Sequence, residues 1–220
     1  MRTAAAFAAT LVLSVTSAFA QPAPGVQTPA APPPPAAAPA RSWSFGVAVN
    51  TYFVPDETNF GQPVITADHK RLHLETRYHY EAAGTGSIWA GVNFEGGDAV
   101  TWTITPMLGG VFGEADGVAP GYKGSLGWRT LQFYSEGEYM FDAHDSADSF
   151  FYNWSELSWA PVEYFRVGLV TDRTRVYQTD REIKRGILVG GSFRRMTVTA
   201  YAFNPDDAKP FYVLGVGFAF

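Results

Sequence analysis

The last nine residues, Tyr212-Val213-Leu214-Gly215-Val216-Gly217-Phe218-Ala219-Phe220, set apolar bulk at every second position and smaller residues between. A period of two sends alternate side chains to opposite faces of an extended strand. The same grammar runs back through the chain. Trp43, Phe45, Val47 and Val49 alternate with Ser44, Gly46, Ala48 and Asn50. Leu72, Leu74, Thr76, Tyr78 and Tyr80 oppose His73, Glu75, Arg77 and His79, and Leu131, Phe133, Tyr139 and Phe141 oppose Gln132, Tyr134, Glu136 and Glu138. Helical spacing is absent. The longest uncharged run after residue 41, Ala99 to Gly113, is broken by Pro106, so no segment there has the form of a membrane-spanning helix.

Cutting at turn signals predicts twelve strands: 42–53, 62–68, 72–81, 87–95, 99–112, 120–128, 131–141, 150–159, 164–175, 183–193, 196–203 and 210–220. Ten is the alternative, if 62–68 is loop and a weakly patterned pair such as 196–203 with its neighbour is misread. Tight connections such as Arg129-Thr130 and Arg194-Arg195 alternate strictly with longer ones rich in Gly, Pro and Asp. That rhythm predicts an all-β fold, an antiparallel up-and-down transmembrane β-barrel over residues 42–220, with short periplasmic turns, longer outer loops and both termini on the periplasmic side. Closure is the only way a sheet pairs all its backbone groups in hydrocarbon.

Periodicity alone does not say which face points outward, since a soluble ligand-binding barrel would turn its apolar face inward. Two features favour apolar-out. The polar faces carry small residues and charges of both signs, and aromatics gather near the ends of the apolar faces, at Trp43, Phe53, Tyr80, Trp128, Phe133, Phe141, Trp159, Phe165 and Tyr212. Aromatic girdles at both membrane interfaces have that placement.

Tyr212, Leu214, Val216, Phe218 and the terminal Phe220 resemble the C-terminal signal strand of bacterial outer-membrane β-barrel proteins, a porin-like class. The resemblance implies a Gram-negative outer-membrane location, insertion by the barrel-assembly machinery through that strand, and contact with outer-membrane lipid and lipopolysaccharide. It implies no catalytic residues.

Ahead of the barrel, residues 1–20 read as a secretory signal peptide, with Arg2, an apolar stretch and Ala18-Phe19-Ala20 before the cleavage point. Residues 21–41 are almost entirely Ala and Pro, including Pro32 to Pro35, and read as a disordered linker in the periplasm, open to a partner there.

Composition excludes several functions. With no cysteine there is no disulfide framework, thiolate metal site or cysteine nucleophile. With 21 acids against 16 bases, nucleic acid is not expected as a partner. No cofactor fingerprint is present. The inward faces carry Glu75, Arg77, Lys123, Glu136, Glu138, Glu156, Arg166, Asp172 and Lys184, the candidate lumen and pore lining. Near-balanced charge suits a narrow passage or an internal salt-bridge network. The expected function is a narrow porin-like channel for small solutes or ions. The alternatives are a non-conducting structural or binding barrel of the envelope and, third, an outer-membrane lipid-modifying enzyme, for which no G-x-S-x-G is present. No metal is expected. The best local candidate, Asp142, Asp145 and Asp148, lacks the spacing of a calcium loop.

Overall fold

The computed structural model describes residues 43–176 and 182–220. The signal peptide and linker read in residues 1–41 lie outside the described residues. Twelve antiparallel strands form one closed barrel. In chain order they are β1 (Ser44–Phe53), β2 (Phe60–His69), β3 (Leu72–Tyr78) and β4 (Thr85–Val92, continued after Asn93 as Phe94–Gly96). Then come β5 (Thr101–Gly113), β6 (Gly117–Trp128), β7 (Leu131–Asp142) and β8 (Phe150–Val162). The last four are β9 (Phe165–Val176), β10 (Glu182–Phe193), β11 (Met196–Phe203) and β12 (Phe211–Ala219).

Each strand pairs with its sequence neighbours, and β1 returns to β12, with Val47 opposite Phe218 and Phe53 opposite Tyr212. The seam ends in two backbone bonds, Phe45 N to Phe220 O at 2.8 Å and Phe220 N to Phe45 O at 2.9 Å. The C-terminal strand thus closes the ring. Ten strands are ruled out because β2 is laddered to both β1 and β3, and β11 to both β10 and β12.

The apolar face points outward. Ile88 and Leu169 are 62% and 61% exposed, whereas Glu75 is 3% and Trp154 is 0% exposed. Burying apolar surface is worth roughly 25 cal/mol per Å², so a barrel wearing this belt is stable only where lipid replaces water. Trp128, Phe133, Trp159 and Phe165 ring the belt near the end where β1 starts and β12 finishes, and Phe53, Phe141 and Tyr212 ring the other. Tyr80 corrects the predicted girdle. β3 stops at Tyr78, and His79 takes a left-handed φ of 58°, which inverts the alternation and turns Tyr80 inside, 1% exposed.

Three tight turns begin with a cation in the left-handed region, Lys70, Arg129 and Arg194 at φ 55°, 54° and 56°. A two-residue hairpin needs positive φ to follow the twist of its strands, and the turn supplies it without glycine. Gly109 has a different task. A Cβ there would lie 2.5 Å from the indole of Trp89, so glycine lets that ring rest on the β5 backbone.

At the opposite rim, Lys209 Nζ bonds Asp56 Oδ2 at 2.8 Å, clasping the β11–β12 loop to the β1–β2 loop, and Arg185 Nη2 bonds Asp206 Oδ2 at 2.5 Å. The hydrogen bond from Lys209, then its charge, holds the Asp56 carboxyl below its ordinary pKa. A lowered carboxylate contributes its interaction above the unfolded pKa and loses it as pH falls through the folded value. Amide protection in residues 54–59 is therefore expected to drop below about pH 4 and in high salt, measured by hydrogen exchange. Lys209→Met should abolish both dependences; protection that tracks pH equally in the variant would refute the clasp.

Candidate functional site: the barrel interior

The interior has three levels. Toward the tight turns it is polar and open. Thr103 and Ser125 face inward on neighbouring strands, their hydroxyls 2.7 Å apart, and Gln132 on β7 is exposed on the inward face. These side chains line a vestibule that water can enter.

Above it lies a charged level that crosses from β3 to β6 and β7. Glu75 is bonded by Arg77 Nε and by Lys123 Nζ from β6, and its Oε2 lies 3.2 Å from His73 Nε2. The other nitrogen of His73 is 2.8 Å from Asp68 Oδ1. Arg77 Nη1 reaches across to Glu138 Oε2 at 2.8 Å, and the guanidinium lies 4.2 and 4.3 Å from the ring centres of Tyr80 and Trp89. Tyr80 and Tyr134 both donate to Glu136, at 3.1 and 2.6 Å. Every buried charge in this group meets an opposite charge or a donor, as charges removed from water must.

A second group joins β8, β9 and β11. Glu156 accepts from Arg166 Nη1 at 2.6 Å, Trp154 Nε1 at 3.1 Å and the Tyr201 hydroxyl at 2.8 Å, while Arg166 Nη2 donates to Thr199 at 3.1 Å. Asp172 is buried on β9 with Lys184 opposite it in register on β10, and the Lys184 ammonium sits 5.4 Å from the centre of the Phe211 ring. All nine residues named from the sequence face the interior.

The third level, toward the longer loops, is mainly aromatic. Tyr52, Trp154, Leu188, Tyr201, Phe203 and Phe211 belong to one buried cluster, with Trp154 to Phe203 at 5.3 Å edge-to-face and Phe203 stacked on Phe211 at 4.7 Å.

Four further interior residues were not singled out from the sequence for this role: Asp68, His73, Tyr80 and Glu81. Asp68 shares the inward parity of Gln62 and Val64, a signal that was readable, but it borders a turn. Glu81 lies in the loop after β3, yet it is buried, accepts from Ser87 Oγ at 2.6 Å and approaches Arg77 to 3.9 Å. No alternation reports a loop that folds back into a barrel. Together these residues tilt the interior toward negative charge.

Two of the loop aspartates brace the backbone. Asp142 Oδ1 accepts from the amides of His144 and Asp145 at 2.8 and 2.9 Å, and Asp145 Oδ1 from Ala147 N at 2.9 Å, capping a 3₁₀ turn over Ser146–Asp148. Among the described residues no three His, Cys, Asp or Glu side chains converge as metal ligands. Asp142 and Asp145 thus brace a capped turn in which Asp148 is the last residue.

No protein-family model matches the chain, and no characterised protein matches it in sequence. Among solved structures it is similar to a KdgM porin, with a TM-score of 0.61 and 10% identity over 80% of this chain and 99% of that one. It is similar also to KdgM porin in complex with disordered oligogalacturonate, with a TM-score of 0.57, 10% identity and the same coverage of both chains. The likeness is one of fold, a closed antiparallel β-barrel like those of these porins.

Proposed function

We propose that this barrel is a narrow outer-membrane channel for small solutes, with a preference for cations. The observation that carries the reading is the interior at mid-barrel, where carboxylates outnumber cations and sit directly above a polar vestibule. Charges held within a membrane wall are costly, and they mark ion and solute paths. The passage is constricted, since Arg77, Lys123 and Arg166 all reach partners on other strands. Its nine candidate lining residues, Glu75 to Lys184, set selectivity. The oligogalacturonate of the second neighbour is a polyanion, and an acid-rich bore repels it, so that solute does not carry over.

In this reading residues 21–41 extend into the periplasm, the outer loops meet lipopolysaccharide, and the β12 stripe of Tyr212, Leu214, Val216 and Phe218 addresses the assembly machinery. A second reading, a non-conducting structural barrel, is favoured by the apolar cluster around Trp154 and Phe203. One recording separates the two. In a planar bilayer under a KCl gradient, the purified chain is expected to give small discrete steps whose reversal potential has the sign of cation selectivity. Clean insertion without steps would establish the structural barrel instead, and anion-signed reversal would overturn the charge argument.

A further inference from the structure

The outward face is apolar along most of the wall at mid-depth, with Ile65, Ile88, Leu108, Leu169, Ile187 and Leu214 exposed there. Four adjacent strands break this rule, β6 to β9, the last with Thr171 and Arg173 outward in register with Ser155 and Asn153. On β6, β7 and β8 the outward mid-wall positions are Tyr122, Gly124, Ser135, Gly137, Asn153 and Ser155, each polar or without a side chain.

The polar members form one network. The Tyr122 and Ser135 hydroxyls are 3.0 Å apart, Ser135 and Ser155 are also 3.0 Å apart, and Asn153 Nδ2 donates to Tyr122 at 3.0 Å and to Ser135 at 3.1 Å. The patch is low in relief. A Cβ on Gly137 would meet Tyr122 Cε1 at 3.0 Å, so the phenol lies across that glycine and does not project, and Ser135 is only 8% exposed.

We propose that this wall is the docking face for a second copy of the chain. Lipid tails offer polar groups no partner, and association inside membranes favours small residues and interfacial hydroxyl and amide groups. The occupant is a second copy because the surface is complementary to itself. Hydroxyls donate and accept, the Asn153 amide does both, and none of the six positions carries a charge, while Arg173, outward on β9 in register with Asn153, stands at the edge of the patch, away from a two-fold axis through Gly124. Gly124 lets two walls approach closely, since a Cβ there meets nothing nearer than Thr103 O at 3.5 Å. This inference is independent of whether the bore conducts.

The chain has no cysteine, so single cysteines report cleanly. In lipid vesicles, Gly124→Cys should give a disulfide-linked species of twice the monomer mass, and Ala200→Cys, outward on β11, should not. Native mass spectrometry of the wild type should show two copies. Asn153→Leu, with its fold verified by heat-dependent gel migration, should lower the paired fraction by roughly tenfold, the scale of one membrane-buried polar contact. A wild type that stays monomeric at every protein-to-lipid ratio would overturn the proposal, as would cross-linking at Ala200→Cys equal to that at Gly124→Cys, or pairing indifferent to Asn153→Leu. A copurifying mass of a different protein on this face would overturn the choice of occupant.

Discussion

Arg77→Met is expected to cost the folded barrel about 3–5 kcal/mol, the usual penalty for removing one partner of a buried charge group. Arg77 is the cation that Glu75 and Glu138 share, with Glu81 at 3.9 Å, and the side chains of all four are no more than 3% exposed. Methionine retains length and much of the packing against Tyr80 and Trp89 but leaves Glu138 without its cation. Lys123 still serves Glu75, which bounds the loss. Urea titration of vesicle-embedded protein, followed by tryptophan fluorescence, measures the change. Arg77→Met combined with Glu138→Leu should recover most of it, since replacing both members of a buried pair with apolar side chains is often neutral or better. Unchanged stability in the single variant would show that the β3–β7 crossing contributes little. In bilayer recordings the same single variant should shift selectivity further toward cations, because one positive charge has left the constriction.

How much of this was readable beforehand depends on what fixes each feature. The strand count and the direction of the faces were legible because a lipid-facing wall obliges nearly every strand to repeat one pattern, and twelve repetitions outvote any weak one. Even residues 62–68, loop in the ten-strand alternative, form part of a fully laddered β2, with Pro63 on its outward side. Parity alone also placed Glu75, Glu138 and Lys184 inside. Which interior residues meet across the bore was not legible, because Arg77 and Glu138 are 61 positions apart and their encounter depends on stagger around the closed ring. The parity of Arg173 was ambiguous from sequence because a bulge near Asp172 would have flipped it. The irregularity lies instead between Phe165 and Val167, so Arg173 keeps the outward side with its guanidinium 5.9 Å from the centre of Phe151. Tyr80 was misplaced by one left-handed residue, His79, because positive φ is uncommon even for histidine and the alternation through Tyr78 gave no sign of a break.

Trp154→Ala is expected to act on stability and conduction together. The indole is fully buried, packs 5.4 Å from Tyr201 and 5.3 Å from Phe203, and donates to Glu156. Removing a buried Trp costs about 3–5 kcal/mol when the surroundings cannot collapse, and strands locked into a closed ladder have little freedom to do so. The space vacated is not apolar, because Glu156 loses a donor and the Tyr201 hydroxyl borders the gap. A cavity that offers a carboxylate and a hydroxyl takes up water, whereas a purely aliphatic one stays dry. A hydrated gap there joins the charged level to the outer end of the bore. Single-channel conductance of Trp154→Ala should therefore exceed that of the wild type several-fold. Trp154→Phe, which keeps most of the ring bulk but loses the donor to Glu156, should be destabilised by about 1–3 kcal/mol with conductance near the wild-type value. If Trp154→Ala unfolds at lower urea yet conducts like the wild type, the permeation path does not pass Trp154, and the aromatic cluster serves only to hold the barrel together.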